Sequence, residues 1–296
     1  MNTKKNYNYV LLLIFCVPLS INTVYAQMSK HVQYDAYLLN GIYEMENKNY
    51  LQAIAYYDSA SFLFPHFHKP HYFVVCCASQ LHDYEKAYQS AIKMILTGCH
   101  LDIILQDDLG EFCHTNYFKQ LKTQSDSLYL AGMQKRDTMF ANAVLRLCKK
   151  NQSIGIRKDT ATFYEFVALC VEKGAFPSCF NVGAEIYRNA FVLLSNSLWH
   201  SNYPNSEDWQ KMLKLIRNEF LSDGIETRWS PLIWFEDAYC RINNIPLRYG
   251  IFGVLQENDI YPAIEELNKN RKEAGLAPIE LEAKAMNIDL DILFNK

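Results

Sequence analysis

The chain has 296 residues, half of them apolar, with a formal charge of −3 and a pI of about 6.2, enough for one large domain or two modest ones. The mild acidity excludes the basic footprint that nucleic acid demands, and no basic run marks an anionic membrane surface. Only eleven glycines are present, with neither a GxGxxG nor a GxxxxGK[ST] pattern, so no phosphate-cradling loop and no nucleotide cofactor is expected.

Residues 1–26 read as an export signal. Lys4 and Lys5 form a positive start, Val10 to Leu19 an apolar core, and Val24-Tyr25-Ala26 a cleavage site before Gln27. The apolar run is shorter than the roughly 20 residues a spanning helix needs, and no later segment is long enough, so no integral membrane segment is expected after cleavage. Phe15 before Cys16 is too bulky for a lipoprotein site. Cleavage at Gln27 removes one of nine cysteines and sends the others to an oxidising compartment. Several of these lie on apolar helical stripes and read as small buried hydrophobes, mostly free, with room for one or two bridges.

Asn49-Tyr50-Leu51-Gln52-Ala53 and Asp83-Tyr84-Glu85-Lys86-Ala87 are one phrase repeated 34 residues on. In the first unit Tyr37 and Gly41 fall on one helix and Tyr50, Ala53, Tyr57 and Ala60 on the next, with Pro65 closing it. Small residues at Gly41, Ala53 and Ala60 let two antiparallel helices approach, while Tyr37 and Tyr57 fill the space between hairpins. These residues resemble the tetratricopeptide repeat, closely over 34–65 and more loosely over 69–98, where Gly98 reads as a helix C-cap. Leu101 to Leu121 offers a degenerate third hairpin, similar to the short cap that follows such repeats. The resemblance implies stacked hairpins over 27–122, with a concave groove lined by the first helix of each hairpin.

The remainder, 123–296, reads as a second, mostly helical domain. Phe140, Val144, Leu147 and Cys148 share one helical face, as do Phe163, Phe166, Val167 and Cys170 before Gly174. Ser178 reads as an N-cap for the stripe Phe180, Ala184, Tyr187, Phe191 and Leu194. Ser206 caps a helix bearing Trp209, Met212, Ile216 and Phe220, with Glu207 and Asp208 in its first turn. Ser230-Pro231 opens another helix. Leu247 to Val254 reads as a short extended segment, and Asn268 to Ala274 as helical. The fold class is therefore mainly α.

Asp137, Gly174 to Pro177, Val182-Gly183, His200, Asp237, Tyr249-Gly250, Arg271 and Gly275-Leu276 occur in an order that resembles an uncharacterised bacterial family known only as a domain of unknown function. The resemblance covers about 128–290 and implies a fold unit without a reaction. The chain departs from it at polar positions: Trp199, Ser201 and Asn202 flank His200, Ala238 follows Asp237, and Leu247, Ile251 and Phe252 surround Tyr249.

Two functional readings follow. The first is an exported interaction or scaffold protein that holds a protein or peptide partner, with Tyr37, Gly41 and Tyr57 shaping the groove. The second is an extracytoplasmic, hydrolase-like enzyme with His200 as general base, Asp237 as its orienter or an acid, and Tyr249 as a donor. The bland account of Asp237 is a structural ion pair with Arg241 or Arg248, or a hydrogen bond from His200. His66, His68 and His71 lack metal-ligand spacing and read as surface histidines, so no metal is expected. A further alternative has the hairpins merely bracing the second half.

Overall fold

The computed structural model describes residues 7–103, 109–154, 160–197, 205–250 and 259–294. Among these residues the protein is helical with no strand. Helix α1 spans Tyr7–Glu46, α2 Tyr50–Leu63, α3 His68–Gln80 and α4 Tyr84–Leu96. The sequence period is realised in the backbone. Lys48 and His82 both take positive φ, at 60° and 57°. The amide of Asn49 returns to the Glu44 carbonyl at 2.8 Å, and that of Asp83 to the Ala78 carbonyl at 2.9 Å. The same tight turn thus joins each hairpin, and each second helix starts on the repeated tyrosine. Asp83 caps α4 by accepting from the Lys86 amide at 3.1 Å.

Gly41 shows why the hairpin is close. A β-carbon there would land inside the ring of Tyr57, which is itself fully buried and stacked on Phe73 at 4.9 Å. Tyr37 is half-buried and turns toward Tyr56 at 6.4 Å. Gly41→Ala is therefore expected to destabilise by about 1–3 kcal/mol through overpacking, read as a lower denaturation midpoint at unchanged slope.

Leu101–Ile103 and Gly110–His114 are 3₁₀ turns, and then α5 runs Asn116–Met133 against α4. The expected division at 122/123 falls inside α5, two residues past buried Leu121, and is no packing boundary. The reason is a shared core. One cluster of buried residues extends from Tyr34 and Tyr57 through Phe118 and Phe140 to Trp209 and Phe235.

Helices α6 (Thr138–Ile154), α7 (Thr160–Lys173), α8 (Ala184–Ser197), α9 (Glu207–Leu221) and α10 (Pro231–Ile242) carry the predicted stripes. Phe140, Val144, Phe163, Phe166, Trp209 and Ile216 are all buried. Ser206 caps α9 as expected, accepting from the Trp209 amide at 3.3 Å. Ser178 does not cap α8. It closes a turn with Asn181, whose amide donates to its hydroxyl at 3.3 Å, and α8 begins later. The first amides of α8 donate instead to the carbonyls of Thr97 and Gly98, so α8 seats end to end on α4. Helices α11 (Ile264–Glu273), α12 (Ile279–Ala285) and α13 (Leu290–Phe294) complete the chain. The predicted extended segment is non-helical at Leu247, whose amide donates to the Ile260 carbonyl at 2.8 Å; residues 251–258 lie outside the described residues.

No helix among the described residues is long and apolar enough to cross a membrane.

Candidate functional site

One stripe of α1, apart from the Tyr37 and Gly41 positions that turn toward α2, is covered by the chain's own second half. Asp35 receives a bidentate pair from Arg228 at 2.9 and 3.0 Å and the Ala277 amide at 2.9 Å. Tyr34 donates to Glu226 at 2.9 Å, and His31 Nδ1 lies 2.7 Å from the Thr227 hydroxyl. Steps of three and four put these three residues on one stripe of α1, and Leu38 and Leu39 continue it. The network goes on through Glu282, which bridges Arg228 and Arg271 at 2.6 Å each. Burial alone would raise the Glu282 carboxyl, but the two guanidinium groups hold it below the usual carboxylate value.

The predicted catalytic residues are placed as follows. His200 lies outside the described residues. Asp237 is buried, at 2% exposed, and one of its oxygens accepts the backbone amides of Arg248 and Tyr249 at 3.1 and 2.8 Å. It thereby anchors the loop after α10. Arg241 binds Asp259, and Arg248 meets Glu236. Tyr249 is half-buried and lines a cavity of about 310 Å³, of which Asp237 is not a wall. Burial pushes the Tyr249 phenol up to about 12, despite the adjacent Arg248.

The histidine cluster is packed, contrary to the surface reading. His66 stacks on Phe180 at 4.0 Å and donates from Nε2 to the Asp223 carbonyl at 2.7 Å. His71 is 6% exposed, with Nε2 3.1 Å from the Pro65 carbonyl. The cause is the second half, which supplies Phe180 and Asp223 as walls that no pattern in the repeats could announce. Burial lowers the imidazoles to about 4 at His66 and about 3 at His68. No cluster with metal-ligand composition occurs among the described residues.

The most chemically unusual site was not anticipated. At the join between α3 and α8 lies a partly open cavity of about 200 Å³, lined by His68, Lys69, Cys179, Tyr187, Arg188 and Glu226 among others. Burial drops the Lys69 amine to about 7, and burial likewise lifts the Glu226 carboxyl above its usual range. Nδ1 of His68 is buried without a hydrogen-bond partner. The eight described cysteines are free thiols, and the Cys179 thiol on this wall is pushed well up by burial, so it is not a thiolate nucleophile at neutral pH. A signal existed for part of this. Asp35 interrupts the apolar stripe of α1, and Glu226 and Arg228 sit beside Ile225 in a short loop; charges in such settings demand partners.

No protein-family model, no curated protein and no solved structure matches this chain.

Proposed function

We infer that this chain handles a compact small molecule bearing a carboxylate or carbonyl group in the cavity between its hairpins and its second half. The observation that supports this is that Lys69 and Glu226 line the same cavity. Burial lowers the Lys69 amine to about 7 and raises the Glu226 carboxyl above its usual range, so the two groups are shifted toward each other as a proton donor and acceptor. Arg188 supplies a cation at the exposed side, and Tyr187 and Phe191 supply ring walls for the rest of the molecule. The volume is below that of drug-sized sites, which restricts the ligand to a few heavy atoms beyond its head group. The sequence-derived hydrolase arrangement has less support, because Asp237 is committed to the loop it anchors.

The test is thermal shift with a panel of three- to five-carbon keto and hydroxy acids. Ligand at a hundred times its Kd is expected to stabilise the wild type by about 2.7 kcal/mol. Lys69→Met is expected to abolish the shift, while Glu226→Gln keeps binding and removes any pH-dependent turnover. A panel without a shift, or a shift that survives Lys69→Met, sinks the reading.

A second reading retains a protein partner on the outer face. An open groove of about 750 Å³ runs between α2 and α4, with Phe62 at 86% exposed and Lys93 and Arg136 on its rim. It suits an acidic peptide with one apolar anchor. A photo-crosslinker at position 62 is expected to trap a partner that the same group at exposed Leu130 does not; equal capture at both removes the case. Residues 1–26 support an extracytoplasmic setting for either function, and finding an N-terminus other than Gln27 in the native protein would count against cleavage there.

A further inference from the structure

The cavity of about 310 Å³ beside Tyr249 lies apart from the Lys69 site and is built differently. Its floor is the start of α10, a twelve-residue helix whose positive end faces the space through Ser230, Leu232 and Ile233. Ser230 occupies the N-cap position, where a serine hydroxyl ordinarily accepts an amide of the first turn. Here it makes no such bond. The hydroxyl is buried with no hydrogen-bond partner, in a residue only 1% exposed that lines the cavity. A buried hydroxyl left unsatisfied costs about 1–3 kcal/mol, so a ligand oxygen at this point has something to recover.

The charged walls come from separate elements. Arg217 reaches in from α9 and Arg248 from the loop after α10. Both side chains are exposed at the rim, where they can adjust to an anion. Arg248 also meets Glu236 at 3.4 Å and lies 5.6 Å from the ring centre of Tyr249. Asn270 adds an amide and Glu273 a single carboxylate, the latter suited to accept from a ligand hydroxyl. Met28, Phe220 and Leu221 add apolar lining. The cavity therefore carries cationic, hydrogen-bonding and apolar lining together.

We propose that this cavity is a binding site for a phosphate monoester with an apolar body, its phosphate held by the α10 N-terminus, Ser230, Arg217 and Arg248. Two guanidinium groups and the positive end of a helix lining one cavity are chemistry that favours a doubly charged tetrahedral oxyanion over a carboxylate. The apolar wall sets the preference for an ester over the free ion.

Calorimetric titration of the full chain with phenyl phosphate and with inorganic phosphate tests it. Phenyl phosphate is expected to bind more tightly than phosphate, with affinity falling as salt rises. Arg217→Gln removes a charged donor from an exposed position and is expected to weaken binding by about tenfold or more. Ser230→Ala is expected to weaken it about fivefold. Lys69→Met is expected to leave it unchanged, which separates this site from the cavity at α3 and α8. Equal affinity for the wild type, Arg217→Gln and Ser230→Ala would overturn the proposal, as would absence of binding by both probes. Equal binding of the two probes would overturn the role of the apolar wall.

Discussion

Glu282→Ala is expected to destabilise the protein by about 3–5 kcal/mol, the cost of breaking a buried charge pair from one side. Glu282 is fully buried and is shared by Arg228 and Arg271, at 2.6 Å to each. Its loss leaves two guanidinium groups with one carboxylate, Asp35, which already carries Arg228 and the Ala277 amide. Arg271 retains only the carbonyls of Ala277 and Tyr249, at 2.7 Å each. Glu282→Gln keeps shape and one acceptor and should cost less. Urea unfolding at pH 7 reads both, and a midpoint unchanged in Glu282→Ala would mean that the network is not closed in solution.

Acidification is expected to cost several kcal/mol between pH 6.5 and 4, before ordinary carboxylates are fully protonated. The unfolded imidazole takes up its proton near 6.5, whereas in the fold His66 does so only near 4 and His68 near 3. Over that interval the unfolded chain binds more protons, so stability is full above 6.5 and is lost as pH falls. Each unit of difference is worth about 1.4 kcal/mol, so His66 alone contributes roughly 3 kcal/mol. Burial is the main cause at both sites, with Lys30 and Arg136 opposing the charge at His66, and Lys69 and Arg188 opposing it at His68. The Asp223 carboxylate works in a lower window. Its bonds from His31, Lys30 and Gln27 outweigh burial and hold it below its usual value, so its share disappears only in stronger acid. A His66→Gln/His68→Gln variant should flatten the profile between pH 4 and 6.5 and leave the lower limb in place. A wild-type profile flat over that interval would show that neither imidazole stays neutral.

The legible part of the structure is the part written in local spacing. The 34-residue phrase located two helix starts and two matching turns, because each needs only its own neighbours: a cap, a small residue and a positive-φ position at Lys48 or His82. The apolar stripes of α6, α7 and α9 were readable for the same reason, since a 3.6-residue period is visible within one helix. What stayed hidden was where the stripes would meet. Nothing local in Tyr34 or Asp35 reveals that residues 226–228 will sit on them. The same blindness made His66 look like surface. Lys69 was invisible as a site because its chemistry comes from Glu226 and Arg188, more than a hundred positions away. Asp237 was correctly singled out as a carboxylate that needs partners, but those partners are amides of the next loop, which no side-chain pattern encodes.

The bond from the Ala277 amide to Asp35 spans 242 positions of sequence. A growing chain therefore leaves Tyr34 and His31 uncovered until residues 226–227 are made, and Asp35 incompletely bonded until Ala277 follows. Closure of such long loops is slow compared with winding of the hairpins. The first four helices can form early, yet the stripe on α1 is closed only when α12 arrives, so the growing chain stays unlocked until that helix has been made.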